Sequence, residues 1–163
     1  MLRTPMLSRI ATEAAILACI AVPTVLAQES AYPPISPRQF TDGSIKVRVT
    51  GSENIDEEIL IDRQASIGDG EVTWLQYGAS GSESPNSLIT FTQTGEVGVS
   101  VGKGKFIVTA GVTPGEKPQC EGKTEVTPTL ITGNYTCRGI TSYDAATGTM
   151  GKVDVVVAFT TKS

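Results

Sequence analysis

The chain has 163 residues, with 13 Lys plus Arg against 17 Asp plus Glu, no histidine and a formal net charge of −4. This length supports one folded domain. The missing histidine excludes Ser-His-Asp and Cys-His catalysis, histidine-ligated zinc and a histidine pH switch, and the acidic balance leaves no basic patch to release counterions from nucleic acid.

Residues 1–27 have the layout of a secretory signal peptide cleaved after Ala27. Arg3 and Arg9 form a positive n-region and the apolar run from Ala14 to Leu26 an h-region. Val25-Leu26-Ala27 then places small or apolar residues before the cut. The run is too short for a membrane span, which needs about 20 residues. Ile16-Leu17-Ala18-Cys19 also fits a lipoprotein box with a lipid anchor at Cys19, but the next residues, Ile20-Ala21-Val22-Pro23, do not form the polar tether such an anchor calls for. The expected location is the cell exterior, secreted or at the envelope, with no transmembrane span in the mature chain.

Residues 28–42 read as a Pro-rich N-terminal arm or linker. Pro33, Pro34 and Pro37 fix φ and withhold backbone donors. Pro34-Ile35-Ser36-Pro37 fits a PxxP pattern, for which an extended tether is the simpler account.

Residues 43–163 read as a single β domain. All 17 glycines lie at or after Gly43. From residue 28 on there are 13 Val, 10 Ile and 18 Thr against four Leu, a composition suited to a pleated surface and poor for helices. Period-two alternation predicts strands carrying Ile45, Val47 and Val49, then Ile59 and Ile61. In the next, Val72 and Trp74 point one way and Leu75 and Tyr77 the other. Ile89 and Phe91 follow, then Val97 to Val101, Phe106 to Ala110, Val126 to Ile131, Tyr135 with Cys137, and Val153 to Phe159. Turns are expected at Ile67 to Gly70, Thr94-Gly95, Gly102-Lys103-Gly104, Thr132-Gly133-Asn134 and Thr147-Gly148. About nine short strands without helices predict an all-β antiparallel sandwich. An Ig-like topology matches the strand number, but both late cysteines follow Trp74, so the Cys-Trp-Cys order of immunoglobulin domains is not met.

In an exported chain Cys120 and Cys137 form an even pair, and a disulfide between them is expected. It would tie the segment after Pro118 to the strand of Tyr135, stabilising by about 3 kcal/mol. A thiol or metal pair lacks the Cys-x-x-Cys spacing and a third ligand.

The candidates for chemistry are few. Glu53, Asp56, Glu57, Glu58 and Asp62, followed by Asp69 and Glu71, are the densest acidic stretch. Solvated surface charge is the plain account. Calcium, on Asp56, Glu58, Asp62 and Asp69, is the sharper one, though no Asp-x-Asp-x-Asp loop is present. A small carboxylate-dependent hydrolase is the third. Gly102-Lys103-Gly104-Lys105 resembles a phosphate-cradling loop, but strand residues follow it where a helix is required. Asn134-Tyr135-Thr136 fits the N-glycosylation pattern. Trp74, in phase with Val72, is expected in the core, and Tyr77 and Tyr143, each before a polar stretch, on a binding surface. The outer face of the last strand, Asp154, Val156 and Ala158, is more apolar than water requires and suits self-association through that strand. Together these features predict a non-enzymatic binding, adhesion or surface-antigen module for an extracellular protein or glycan, without a cofactor. The hydrolase and a subunit of an extracellular assembly are the alternatives.

Overall fold

The computed structural model describes residues 38–68, 71–80, 82–112 and 117–163, so the expected leader, Cys19, the first ten residues of the arm and Asp69 lie outside the described residues. Eleven strands run in chain order: β1 Arg38–Gln39, β2 Asp42–Gly51, β3 Ile55–Leu60, β4 Ile67–Gly68, β5 Val72–Tyr77, β6 Asn86–Thr92, β7 Val97–Lys103, β8 Phe106–Val112, β9 Cys120–Val126, β10 Leu130–Asp144 and β11 Thr149–Lys162. No helix occurs among the described residues. The expected turns at Thr94-Gly95, Gly102 to Gly104 and Thr147-Gly148 join antiparallel neighbours.

The expected two-sheet sandwich gives way to one curled antiparallel sheet. Hydrogen bonding runs without a break along β1-β4-β5-β6-β7-β8-β10-β11-β2-β3, with β9 added beside β10. The sheet curls into a half-barrel, and the end of β3 meets β5 at a single bridge, Ile61 to Tyr77. Gly78 N–H donates to Leu60 O (3.0 Å) and Asp62 N–H to Gln76 O (2.7 Å) at the same place. The alternation that suggests two facing sheets is equally satisfied by two sides of one curl, because each strand still buries a single face.

The inside of the curl holds the core. Ile45, Val47 and Val49 of β2 face Val153, Val155, Val157 and Phe159 of β11, and Leu75, Ile89, Phe91, Val99, Val101 and Val108 line the other side. Phe40 is buried as well, and Thr41 N–H donates to Lys162 O at 2.9 Å. The last residues of the expected arm therefore belong to the folded domain. Val72 and Trp74 are only half-buried, whereas Thr73, Leu75 and Tyr77 face inward. Trp74 thus stands outside the core, beside Ile67 of β4, and the expected core position is corrected.

The disulfide Cys120–Cys137 is present, with the two residues directly opposite each other on β9 and β10 and Cα atoms 4.1 Å apart. The expected turn at Thr132-Gly133-Asn134 is instead the interior of β10. Gly133 lies opposite Phe159, whose ring fills the space a Cβ would occupy, while at Gly122 that space is taken first by the Asn134 carbonyl and then by Tyr135. An aromatic ring laid over a cross-strand glycine restores the packing that the glycine forgoes.

Candidate functional site

Strand β10 decides what the outer face presents. Up to Cys137 its odd-numbered residues face inward: Ile131, Tyr135 and Cys137 are buried. Between Cys137 and Ile140 the register against β11 slips by one residue, and beyond it the even-numbered Ile140 and Ser142 are buried. Gly139, at φ +62°, supplies the left-handed backbone this bulge requires. Its N–H donates to Asp154 Oδ1 at 2.7 Å. Uninterrupted alternation from Cys137 would send Tyr143 inward. The extra residue sends it out.

Tyr143 is 42% exposed and has an apolar neighbour on each side: Ile107 of β8 is its register partner across one strand gap and Met150 of β11 across the other. Ile107 is 49% and Met150 77% exposed. Side chains directly opposite in adjacent strands have Cβ atoms about 5 Å apart, so the three make one apolar row across three strands. The turn that follows fixes its end. Asp144 accepts from Ala146 N–H and the Thr147 hydroxyl, both at 2.8 Å, and Gly148 N–H donates to Asp144 O at 2.8 Å. The Ala146 amide first, then Thr147, hold the Asp144 carboxyl below the usual carboxylate range, with Lys105 adding its charge.

Tyr77, the other expected surface tyrosine, is fully buried. It points into the curl in phase with Leu75, and its hydroxyl bonds the Thr161 hydroxyl at 2.6 Å. Burial pushes its phenol far above the ordinary range, with the Thr161 bond acting in the opposite sense. This corrects its assignment to a binding surface: the polar stretch begins only after Gly78, outside the strand.

The described part of the acidic stretch, which leaves out Asp69, does not converge. Asp56 and Glu58 lie on the outer face of β3, where Asp56 pairs with Arg48 at 3.1 Å and Glu58 accepts from the Ser44 hydroxyl at 2.8 Å. Asp62 instead accepts from Gln64 and Ala65 N–H, closing a turn. Among the described residues no three acidic or cysteine side chains gather where a metal ion would bind. The charges suit their strand, which ends the ladder: charge along an exposed edge discourages pairing with another chain.

Three cavities on the outer surface carry carboxylates. The largest of them, about 570 Å³, crosses β3, β2, β11, β10 and β9, and Lys46, Glu58, Lys123 and Glu125 are among its lining residues. Asn134 of the glycosylation pattern is exposed within it, mid-strand on β10. Glu125 and Lys123 form an ion pair that draws the Glu125 carboxyl below its usual range. A second, about 90 Å³, is lined by Glu53, Asp144 and Met150 and by the Ser52 and Ser142 hydroxyls, which bond each other at 3.0 Å. A third, about 370 Å³, has Glu53, Glu83 and Asp144 beside Lys103 and Lys105 at the β7–β8 turn. Strand β8 follows that turn, so the anion-binding helix of a phosphate loop is absent.

Ile107 and Met150 escape a sequence reading that looks for aromatic residues. Their signal is phase: each is a large apolar residue on the polar beat of its strand, between Phe106 and Val108 in one case and out of step with Val153 in the other. No protein-family model matches the chain, and no curated protein or solved structure matches it either.

Proposed function

We propose that the protein is a non-enzymatic binding module of the cell exterior, and that it meets an extracellular protein or glycan through the row Ile107–Tyr143–Met150. The observation that carries this is the row itself: three of the large exposed apolar side chains stand in one cross-strand register on adjacent strands. Apolar residues gathered on an outer face mark contact surfaces in a way that scattered ones do not. The disulfide and the signal-peptide layout support an oxidising exterior location.

A non-enzymatic role is favoured by the carboxylates. A general acid needs its proton affinity raised, and Asp144 and Glu125, which line the three carboxylate-bearing cavities, are both shifted down. A subunit role in a larger assembly draws support from Val156, 42% exposed on β11. Both edges of β11 are paired, to β10 and to β2, so contact through this strand uses its outer face rather than its edge.

Arrays of extracellular glycans and proteins test the proposal. Binding that Tyr143→Ser and Met150→Lys abolish without lowering the melting temperature is the expected result. Turnover of a polysaccharide that Glu57→Gln or Glu71→Gln abolishes would overturn it, and light scattering that shows mass rising with concentration would turn it toward the assembly.

A further inference from the structure

A fourth cavity, at the β10 bulge, has the opposite character from the other three. It encloses about 400 Å³ and is lined by Lys117, Arg138 and Lys152, with Thr109, Gln119 and Thr141 supplying neutral polar groups. Among the described residues no carboxylate lines it, whereas each of the other three holds at least two. In a chain of net charge −4 the ordinary expectation is the reverse.

Among the described residues no ion pair engages any of the three cations. The ion pairs of the described residues engage Arg48, Lys103, Lys123 and Lys162. Lys152 Nζ donates to the Thr141 hydroxyl at 2.8 Å, which steadies its ammonium at the cavity without neutralising it. Asp154, at the same bulge, is not among the lining residues; its Oδ1 accepts from Gly139 N–H. Like charges drawn to one concavity repel each other, and an anion that enters it relieves that repulsion. The planar fork of Arg138 suits two oxygens of an oxyanion, and the lysines suit any negative oxygen.

We infer that this cavity is an anion-binding site that takes a sulfate, phosphate or carboxylate group. The inference goes beyond the binding reading above, since no member of the Tyr143 row lines the cavity. The shared chemistry is the oxyanion, which arrives either as a free ion or as a pendant group on an extracellular polymer.

Titration of the mature protein with sodium sulfate and with sodium phosphate, followed by amide NMR shifts at low ionic strength, tests this. Saturable shifts clustered around residues 117–119 and 138–141 are expected. The variant Lys117→Gln/Arg138→Gln/Lys152→Gln weakens sulfate binding about tenfold or more. Lys46→Gln/Arg63→Gln/Lys105→Gln removes the same net charge elsewhere and changes it less than about threefold. Both variants concern exposed side chains, and thermal melts confirm that each is folded. Equal weakening by the two variants, or shifts scattered over the surface, overturns the site. Tyr143→Ser retains sulfate binding; loss there overturns the site's independence from the row, while loss of array binding alone leaves it standing. Dextran sulfate then separates the sources: tighter binding per sulfate group than the free ion assigns the ligand to a polymer, and equal binding assigns it to a small anion.

Discussion

Tyr77 lies inside the curled sheet with no exposed surface, its hydroxyl held by Thr161 at 2.6 Å, while Tyr143 stands on the outside between Ile107 and Met150. The two regions use the same side chain for different ends. Inside, the ring joins Leu75 and Ile89, and its single polar atom must find a partner, because an unsatisfied buried hydroxyl costs about 1–3 kcal/mol. Thr161 also ties β5 to β11 across the curl. Outside, the ring has apolar neighbours but water on its open face, so its contact area is available to something else. Substitutions inside should therefore change stability, and substitutions outside should change recognition.

The largest effect is expected where the interior is closed from below. Phe40 is fully buried, and Phe40→Ala should lower the unfolding free energy by about 3–5 kcal/mol, read as a fall in denaturant midpoint with the slope unchanged. A loss under about 1 kcal/mol would mean that residues 38–41 lie loosely against the sheet, and that the arm ends where composition alone would end it.

Next comes the wing formed by β9, which pairs only with β10 and is pinned there by Cys120–Cys137. Cys120→Ser/Cys137→Ser should cost about 3 kcal/mol on the loop-entropy account. Hydrogen exchange should rise across Cys120–Val126 well before it rises in β2 or β11, which have neighbours on both sides. Uniform exchange across the sheet would show that the wing is held by pairing alone.

The bulge gives a smaller test. Gly139 has open space where a Cβ would sit, so Gly139→Ala is strained only by its φ of +62°, and should cost about 1–2 kcal/mol. Deleting Gly139 removes the extra residue that the bulge absorbs and leaves Tyr143 facing out, so array binding should survive the deletion. Loss of that binding would show that the bulge shapes the contact surface as well as setting its phase.

Removing only the hydroxyl inside, by Tyr77→Phe, should cost about 1–2 kcal/mol, since the Thr161 hydroxyl is left buried with one partner fewer. The same tyrosine sets a pH dependence. Its proton affinity is raised in the fold, so both states hold the proton below the ordinary tyrosine pKa, and its contribution is fully present there. Above about pH 10 the unfolded chain releases that proton while the native chain keeps it, and stability falls as pH rises. The urea midpoint should fall less between pH 8 and pH 10.5 in Tyr77→Phe than in the parent chain.

The strand class and most of the core were legible because Val, Ile and Phe alternate with polar residues along β2, β6, β7, β8 and β11. The closing of one sheet on itself was not, since an inward face reads the same whether a second sheet or the far side of a curl covers it. Strand β9, Cys-Glu-Gly-Lys-Thr-Glu-Val, was hidden because an edge strand lying mostly in water needs no apolar beat. Thr132-Gly133-Asn134 imitates a turn, and only the Phe159 ring over Gly133 explains why it is strand. For the candidate site, Tyr143 was visible as an aromatic beside a polar stretch. Its partners were not, because Ile107 and Met150 join it through the pairing of β8, β10 and β11, a relation between distant segments that no local window contains.

The smallest expected effect on stability is the most telling for function. Tyr143→Ser removes an exposed ring from the outer face, and should change the unfolding free energy by less than about 0.5 kcal/mol. Against a partner the same change should weaken binding at least about thirtyfold, the scale of a central aromatic anchor worth about 2 kcal/mol. Met150→Lys should act in the same direction by placing a charge in the row, and Val156→Lys, elsewhere on β11, should not. If Val156→Lys weakens binding and Tyr143→Ser does not, the contact surface has shifted along β11 to the part of its outer face nearest the large groove, and the row is ordinary exposed surface. If Tyr143→Ser instead destabilises as much as Tyr77→Phe, its ring is covered in the folded protein, and the contrast between the two sides of the sheet fails at the position on which the functional reading depends.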